Sequence, residues 1–174
     1  VRKLLVLVTV LVTTFALSSC SSGSDKPNSK VPDKPSASVH KVNAADYQNS
    51  YGSYVFRVAG GTVWCTINGT PNFVVCEQNE VDVAYKIPDT PSTCQGAWGY
   101  QAKLWAFQPS MGKIADWYCA SGLYSDPAGA YDLPSGSAID VGDITCYASD
   151  VVVRCDNKQG QYLALGSDIY GFSN

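Results

Sequence analysis

Histidine is nearly missing from this chain. The one present, His40, lies in a stretch of Ser, Pro, Lys and Asp, so a Ser-His-Asp or Cys-His site in its usual form has no base to draw on. Glutamate is scarce as well, with Glu77 and Glu80 alone. Chemistry that needs paired carboxylates around a bond must therefore use aspartates, most of which sit at turns. No Gly-x-Ser-x-Gly motif occurs, and the cysteine spacings do not match Cys-x(2-4)-Cys zinc ligation. A basic surplus is also lacking. The formal net charge is -3 and the pI about 4.9, which argues against a nucleic-acid partner, since that requires a concentrated basic face. No long stretch shows a convincing 3.6-residue period, so long amphipathic helices are excluded.

The one sustained apolar run is Leu4 to Leu17, which follows Arg2 and Lys3. It is too short for a mature membrane span, which takes about 20 apolar residues, and it suits the h-region of a signal peptide. Leu17-Ser18-Ser19-Cys20 closes it in an order that resembles the bacterial lipoprotein signal. The resemblance implies that Cys20 receives a thioether-linked diacylglycerol and that residues 1–19 are removed. An ordinary secretory signal with an accidental cysteine is the alternative. Each buried acyl methylene contributes about 0.8 kcal/mol to membrane binding, so two chains anchor stably where one would not. The expected address is the extracytoplasmic face of the cell membrane, with the membrane as first partner through Cys20.

From Ser21 to about Asn43 the chain has little to bury and includes Pro27, Pro32 and Pro35. Such composition reads as a disordered tether over residues 20–46, partly stiffened toward polyproline II. A single folded domain is expected over 47–174.

Six further cysteines, Cys65, Cys76, Cys94, Cys119, Cys146 and Cys155, are an even number in an exported chain and read as three disulfides. Gly61-Thr62-Val63-Trp64-Cys65 and Gly142-Asp143-Ile144-Thr145-Cys146 share one pattern. Each leads through a polar turn to Val-x-Cys, at Val74-Val75-Cys76 and Val153-Arg154-Cys155. The alternation predicts two β-hairpins. If Cys65 faces Cys76, then Ile67 faces Val74 on the same side and residues 69–72 form the loop. Pairing within each hairpin leaves Cys94 to Cys119 by elimination.

Tyr54 to Val58, Val81 to Tyr85, Tyr100 to Phe107, Ile114 to Cys119, Ser137 to Val141 and Gln161 to Leu165 are the other predicted strands. A single helical turn is expected at Ala115 to Cys119 or Asp46 to Ser50. The class is all-β, a small disulfide-stapled sandwich or barrel with a duplicated hairpin that hints at internal pseudo-twofold symmetry.

Phe56 before Gly60-Gly61, Cys65, Val75-Cys76, Cys94 with Trp98-Gly99, the Ala115 to Cys119 strand, Leu133-Pro134-Ser135-Gly136, Ile139, Val141-Gly142, Ile144, Cys146, Gly160 and Leu163 to Leu165 together resemble a known family. It comprises small six-cysteine secreted proteins and lipoproteins of actinobacteria and is classed as a domain of unknown function. The resemblance runs from Phe56 to about Phe172 and implies an exported actinobacterial protein, with no established activity. Two departures stand out: Val58-Ala59-Gly60-Gly61-Thr62 replaces Ser-Pro-Ser-Gly-Asn, and Gly122 stands where an Asp is common. Any activity served by that Asp is lost here.

Eleven Tyr and four Trp supply planar rings suited to sugar stacking or protein contact. Trp64 is the leading ligand-binding candidate, because Val63 and Cys65 should face the core and turn it to the opposite side. Asp116 and Tyr118 join it as a carboxylate beside rings, with Glu77, Glu80 and Asp82 next. Trp98, Trp105 and Trp117 read as core. Calcium held by Asp140, Asp143 and Asp150 finds no EF-hand-like spacing to support it, and no metal or cofactor is expected.

The first functional reading is an envelope-anchored lipoprotein whose β domain is a non-catalytic binding or interaction module for an envelope glycan or protein. The alternatives are an envelope glycan hydrolase using Asp116 with a second carboxylate, and a phage-derived or host-interaction surface lipoprotein that blocks another protein.

Overall fold

The computed structural model describes residues 30–36, 38–110 and 112–173; Cys20 and residues 1–19, the expected signal peptide, lie outside the described residues. The strands are β1 (His40–Lys41), β2 (Tyr54–Val58), β3 (Val63–Gly69), β4 (Asn72–Gln78), β5 (Gln101–Trp105), β6 (Ala115–Trp117), β7 (Tyr131–Asp132), β8 (Ser137–Val141), β9 (Ile144–Ala148), β10 (Val152–Asn157), β11 (Tyr162–Gly166) and β12 (Tyr170–Phe172). They form two six-stranded sheets. Sheet I has the order β1-β8-β9-β10-β11-β12 and sheet II the order β6-β5-β4-β3-β2-β7. The sheets stack as a sandwich rather than closing into a barrel, and one continuous core draws on the inner faces of both.

Both predicted hairpins form, and both local disulfides form as expected. Cys65 stands opposite Cys76 and Cys146 opposite Cys155. Ile67 faces Val74 as anticipated, but Gly69 pairs with Asn72, so the connection is the tighter Thr70-Pro71 turn, whose peptide bond is cis. Asn72 holds that turn, its side-chain nitrogen donating to the Asn68 carbonyl at 2.9 Å. All four hairpin cysteines point inward and are fully buried. Cys76 Sγ and Cys155 Sγ lie 4.0 Å apart, so the two disulfides touch where the sheets face each other.

The duplication extends well beyond the hairpins. Strands β2 to β6 run as an antiparallel meander in sheet II, and β8 to β12 repeat it in sheet I. Each meander gains a short parallel edge strand from the other half: β1 pairs with β8, and β7 pairs with β2. The halves therefore exchange their first strands. Each exchange carries an ion pair of opposite polarity, Lys41 Nζ to Asp140 Oδ2 at 2.5 Å and Arg57 Nη2 to Asp132 Oδ1 at 2.9 Å. Both pairs are largely exposed, so each contributes at most about 1 kcal/mol.

Ordered structure begins earlier than the composition suggested. His40 and Lys41 already pair in sheet I, and Asn43 caps a 3-10 turn at Ala44–Tyr47 by accepting from the Ala45 N–H. This turn lies close to the one expected at Asp46 to Ser50, whereas the alternative place, Ala115 to Cys119, holds strand β6 instead. Upstream, the Pro32 carbonyl accepts from Arg154 Nη1 at 2.7 Å. Val31 packs beside it against Val152, Ala164 and Ile169 on the outer face of sheet I. Gly171 makes this possible, since a Cβ there would sit 2.5 Å from Val31 Cγ2.

Residues 81–85 are not a strand. A 3-10 turn at Glu80–Asp82 replaces the first part. The Ala84 N–H goes to Ser167 rather than to a ladder partner, while Val83 and Tyr85 still reach the core. The apolar alternation is thus satisfied without sheet pairing. No helix among the described residues is long and apolar enough to cross a membrane.

Replacing Cys65 with Cys76, or Cys146 with Cys155, by alanine pairs should each lower unfolding free energy by about 3 kcal/mol. The quadruple variant should depart from their sum by more than about 0.5 kcal/mol, because the bridges touch. Denaturant titration of the four proteins checks both values.

Candidate functional site

The halves differ in their loops. β10 and β11 are joined by residues 158–161, whereas the equivalent strands β4 and β5 are separated by 79–100. Residues 106–114 likewise replace 167–169, and 118–130 fold back over the outer face of sheet II. The third disulfide, Cys94–Cys119, ties two of these insertions together. Ala97 and Ala120 then form an isolated antiparallel bridge at 2.8 and 3.0 Å. Gly96 permits this approach, since a Cβ there would lie 2.0 Å from the Ala120 carbonyl oxygen.

Glu77 holds the insertion down. It follows an inward-facing cysteine in β4 and so points to the outer face, where it is 1% exposed. Its Oε1 accepts from Gln101 Nε2 at 2.6 Å and from the Tyr124 N–H at 2.7 Å. Its Oε2 accepts from Trp64 Nε1 at 2.9 Å, the Ser125 N–H at 3.0 Å and the Ser125 hydroxyl at 3.3 Å. Burial pushes its pKa above the ordinary glutamate range, and these donors pull it partly back. With its acceptor capacity filled, this carboxylate clamps a loop and has no lone pair to offer a substrate proton.

Trp64 does turn away from the core, as predicted, but it is 0% exposed. The folded-back segment covers it, packing it against Val55 and Ala130, and its ring nitrogen is committed to Glu77. No ligand reaches it, which corrects its reading as a binding residue. The cause is a covering loop distant in sequence.

Asp116 and Tyr118 lie on the same outer face, further toward the sheet edge. Asp116 Oδ1 accepts from the Trp117 N–H at 2.9 Å, and its Oδ2 pairs with Lys113 Nζ at 3.0 Å. Trp64 is fully buried under the covering segment, whereas Asp116 is tied to Lys113 nearer the sheet edge, so the three do not form a common accessible site. Tyr118 instead borders Lys103, whose Nζ lies 3.8 Å from the Phe73 ring centre, 4.0 Å from Trp105 and 5.1 Å from Tyr118. Burial among these rings lowers the Lys103 pKa. This aromatic-and-lysine face was missed in the sequence, although a lone lysine within an alternating strand is the signal that marks it.

Asp82, another of the charged candidates, accepts from Asn79 Nδ2 at 3.1 Å. Asp140 bonds Lys41 and Thr145, and Asp143 pairs with Lys158, so they do not converge on a shared ion. The one cluster of potential metal ligands among the described residues is Cys65, Cys76 and Cys155, all of them disulfide-bonded. Trp117 is a core residue, and Trp98 and Trp105 pack against the core partly buried.

Compared with protein-family models, curated proteins and solved structures, the chain has no match.

Glu77→Gln should destabilise the domain by about 2 to 3 kcal/mol, because an amide nitrogen would replace an acceptor among converging donors. Hydrogen exchange should show the loss first at Tyr124 and Ser125. Lys103 should titrate below the other lysines, read by NMR of reductively methylated protein.

Proposed function

We propose that this chain is an exported, lipid-anchored lipoprotein whose β sandwich serves as a non-catalytic binding module in the cell envelope. The observation that carries this reading is the unequal elaboration of two otherwise matching halves. Only the first half bears the long loops and the extra disulfide. Loops set on a rigid scaffold are where recognition residues concentrate.

Export is supported by the three disulfides, which persist in oxidising compartments. The lipid anchor is supported by the Leu-Ser-Ser-Cys order ending at Cys20 and by the six-cysteine resemblance. A non-catalytic role is supported by the way Glu77, Asp116 and Asp156 are each engaged in structural hydrogen bonds or ion pairs.

The path of the N-terminal segment fits this arrangement. It docks on the outer face of sheet I through Arg154 and Val31, while the covering insertions lie on the outer face of sheet II. A chain leaving Lys30 toward Cys20 would span at most about 35 Å and would depart from the side opposite the elaborated face. The proposed anchor thus leaves that face toward the envelope.

Membrane fractionation should find the protein with the membrane, and Cys20→Ala should release it to the medium. Mass spectrometry should show a diacylated Cys20 at the mature N-terminus. Purified protein should retain an envelope component without cleaving it; release of reducing sugar ends from envelope glycan would instead establish a hydrolase.

A further inference from the structure

The three disulfides differ in how a reagent can reach them. Cys65, Cys76, Cys146 and Cys155 are each 0% exposed and stand at directly opposed positions in the sheet ladders, so a thiolate meets their sulfurs only when the domain unfolds. Cys94 and Cys119 lie outside every strand. Cys119 is exposed and Cys94 half-buried, and Cys119 lines a cleft of about 640 Å³ with Gln95, Gly96, Ala97 and Ala120. Exposed bridges are the labile ones, because exchange needs a nucleophile to reach one of the two sulfurs.

Little else secures the chain beside Cys94. Residues 89–93 and 95–97 are exposed, and 88–96 contribute nothing to the core clusters. Among the described residues, the one backbone hydrogen bond of 88–96 runs from the Cys94 N–H to the Pro91 carbonyl at 2.9 Å, inside the segment itself. The next tie is the Ala97–Ala120 bridge. Both alanines also line a second cleft, of about 330 Å³, beside Glu80, Tyr100 and Leu123. One wall thus serves both clefts, and the Cys94–Cys119 bond braces it. Tyr124 and Ser125 are anchored separately by Glu77, so opening the bond loosens the wall without unfastening them.

We propose that Cys94–Cys119 is a thiol-exchange site, opened by a protein dithiol of the Cys-x-x-Cys type, whose redox state sets the shape of the two clefts. One partner thiolate attacks Cys119 Sγ, the bond to Cys94 breaks, and Cys94 Sγ leaves with the electron pair and takes up a proton. The partner's second thiolate then attacks its own sulfur in the mixed disulfide and releases Cys119, which is protonated in turn. Two electrons pass from the partner, which ends as a disulfide, and its two protons end on Cys94 and Cys119. The buried hairpin bridges hold the sandwich together throughout.

Native full-length protein in detergent, treated with reduced thioredoxin and then alkylated, tests this by peptide mapping. Cys94 and Cys119 should be labelled together, at least about tenfold faster than any hairpin cysteine. A Cys-x-x-Ser variant of the thioredoxin should be trapped on Cys119. Labelling of all six cysteines at one rate, or of none before denaturant is added, would overturn the exchange site. In the reduced protein, hydrogen exchange should quicken about tenfold at Ala97 and Ala120 and stay unchanged at Tyr124 and Ser125. Unchanged exchange at both alanines would overturn the effect on the clefts. Cys94→Ser combined with Cys119→Ser should reproduce the reduced pattern and trap no thioredoxin; the reduced natural chain keeps the test decisive should that variant fail to fold. Neither readout uses a ligand, so failure here leaves the binding-module reading standing, and failure of that reading leaves the bridge to be judged by these measurements.

Discussion

The contact between Cys76 and Cys155 at 4.0 Å sets the geometry on which the rest of the domain depends. Each cysteine belongs to a bridge that ties two neighbouring strands directly opposite one another. The inner faces of both sheets must therefore meet over these sulfurs, with Phe56 and Ile139 beside them at matching positions in β2 and β8. A sandwich this small has limited apolar surface to bury, and covalent crosslinks at its centre restrict the unfolded chain where packing alone would hold it weakly. Exchange of the first strands, β1 onto sheet I and β7 onto sheet II, then makes each half incomplete without the other.

Because the two halves share one plan, their differences are informative. The buried acid following the second hairpin cysteine is Glu77 in one half and Asp156 in the other, and each secures a covering segment by different chemistry. Asp156 forms a close pair with Arg154, Nη2 to Oδ1 at 2.9 Å, and Arg154 in turn holds the Pro32 carbonyl. Glu77 instead binds the returning loop through backbone and side-chain donors. The first solution fastens the N-terminal segment. The second supports the stapled insertion that we assign to recognition.

Much of the meander was legible in advance because strand alternation is a local signal. Tyr54–Val58 and Ser137–Val141 have the expected bounds, and the cross-hairpin pairing followed from the placement of Cys65 opposite Cys76. The two-residue strands β1 and β7 were not legible, since so short a stretch carries no periodicity and forms only because an edge lies open beside it. Trp64 failed as a ligand residue for a related reason. Its orientation within the hairpin is a local property, but its cover arrives from residues 118–130.

From sequence alone came the all-β class, the duplicated hairpin and the three disulfide pairs, each written in spacings of a few residues or in composition. Tertiary structure alone decided that the bridges meet, that the halves trade strands, and that Glu77 is spent on holding a loop. Those outcomes depend on which distant segments come to lie over each face, and burial and hydrogen-bond satisfaction are properties of that assembled surface rather than of any stretch of chain.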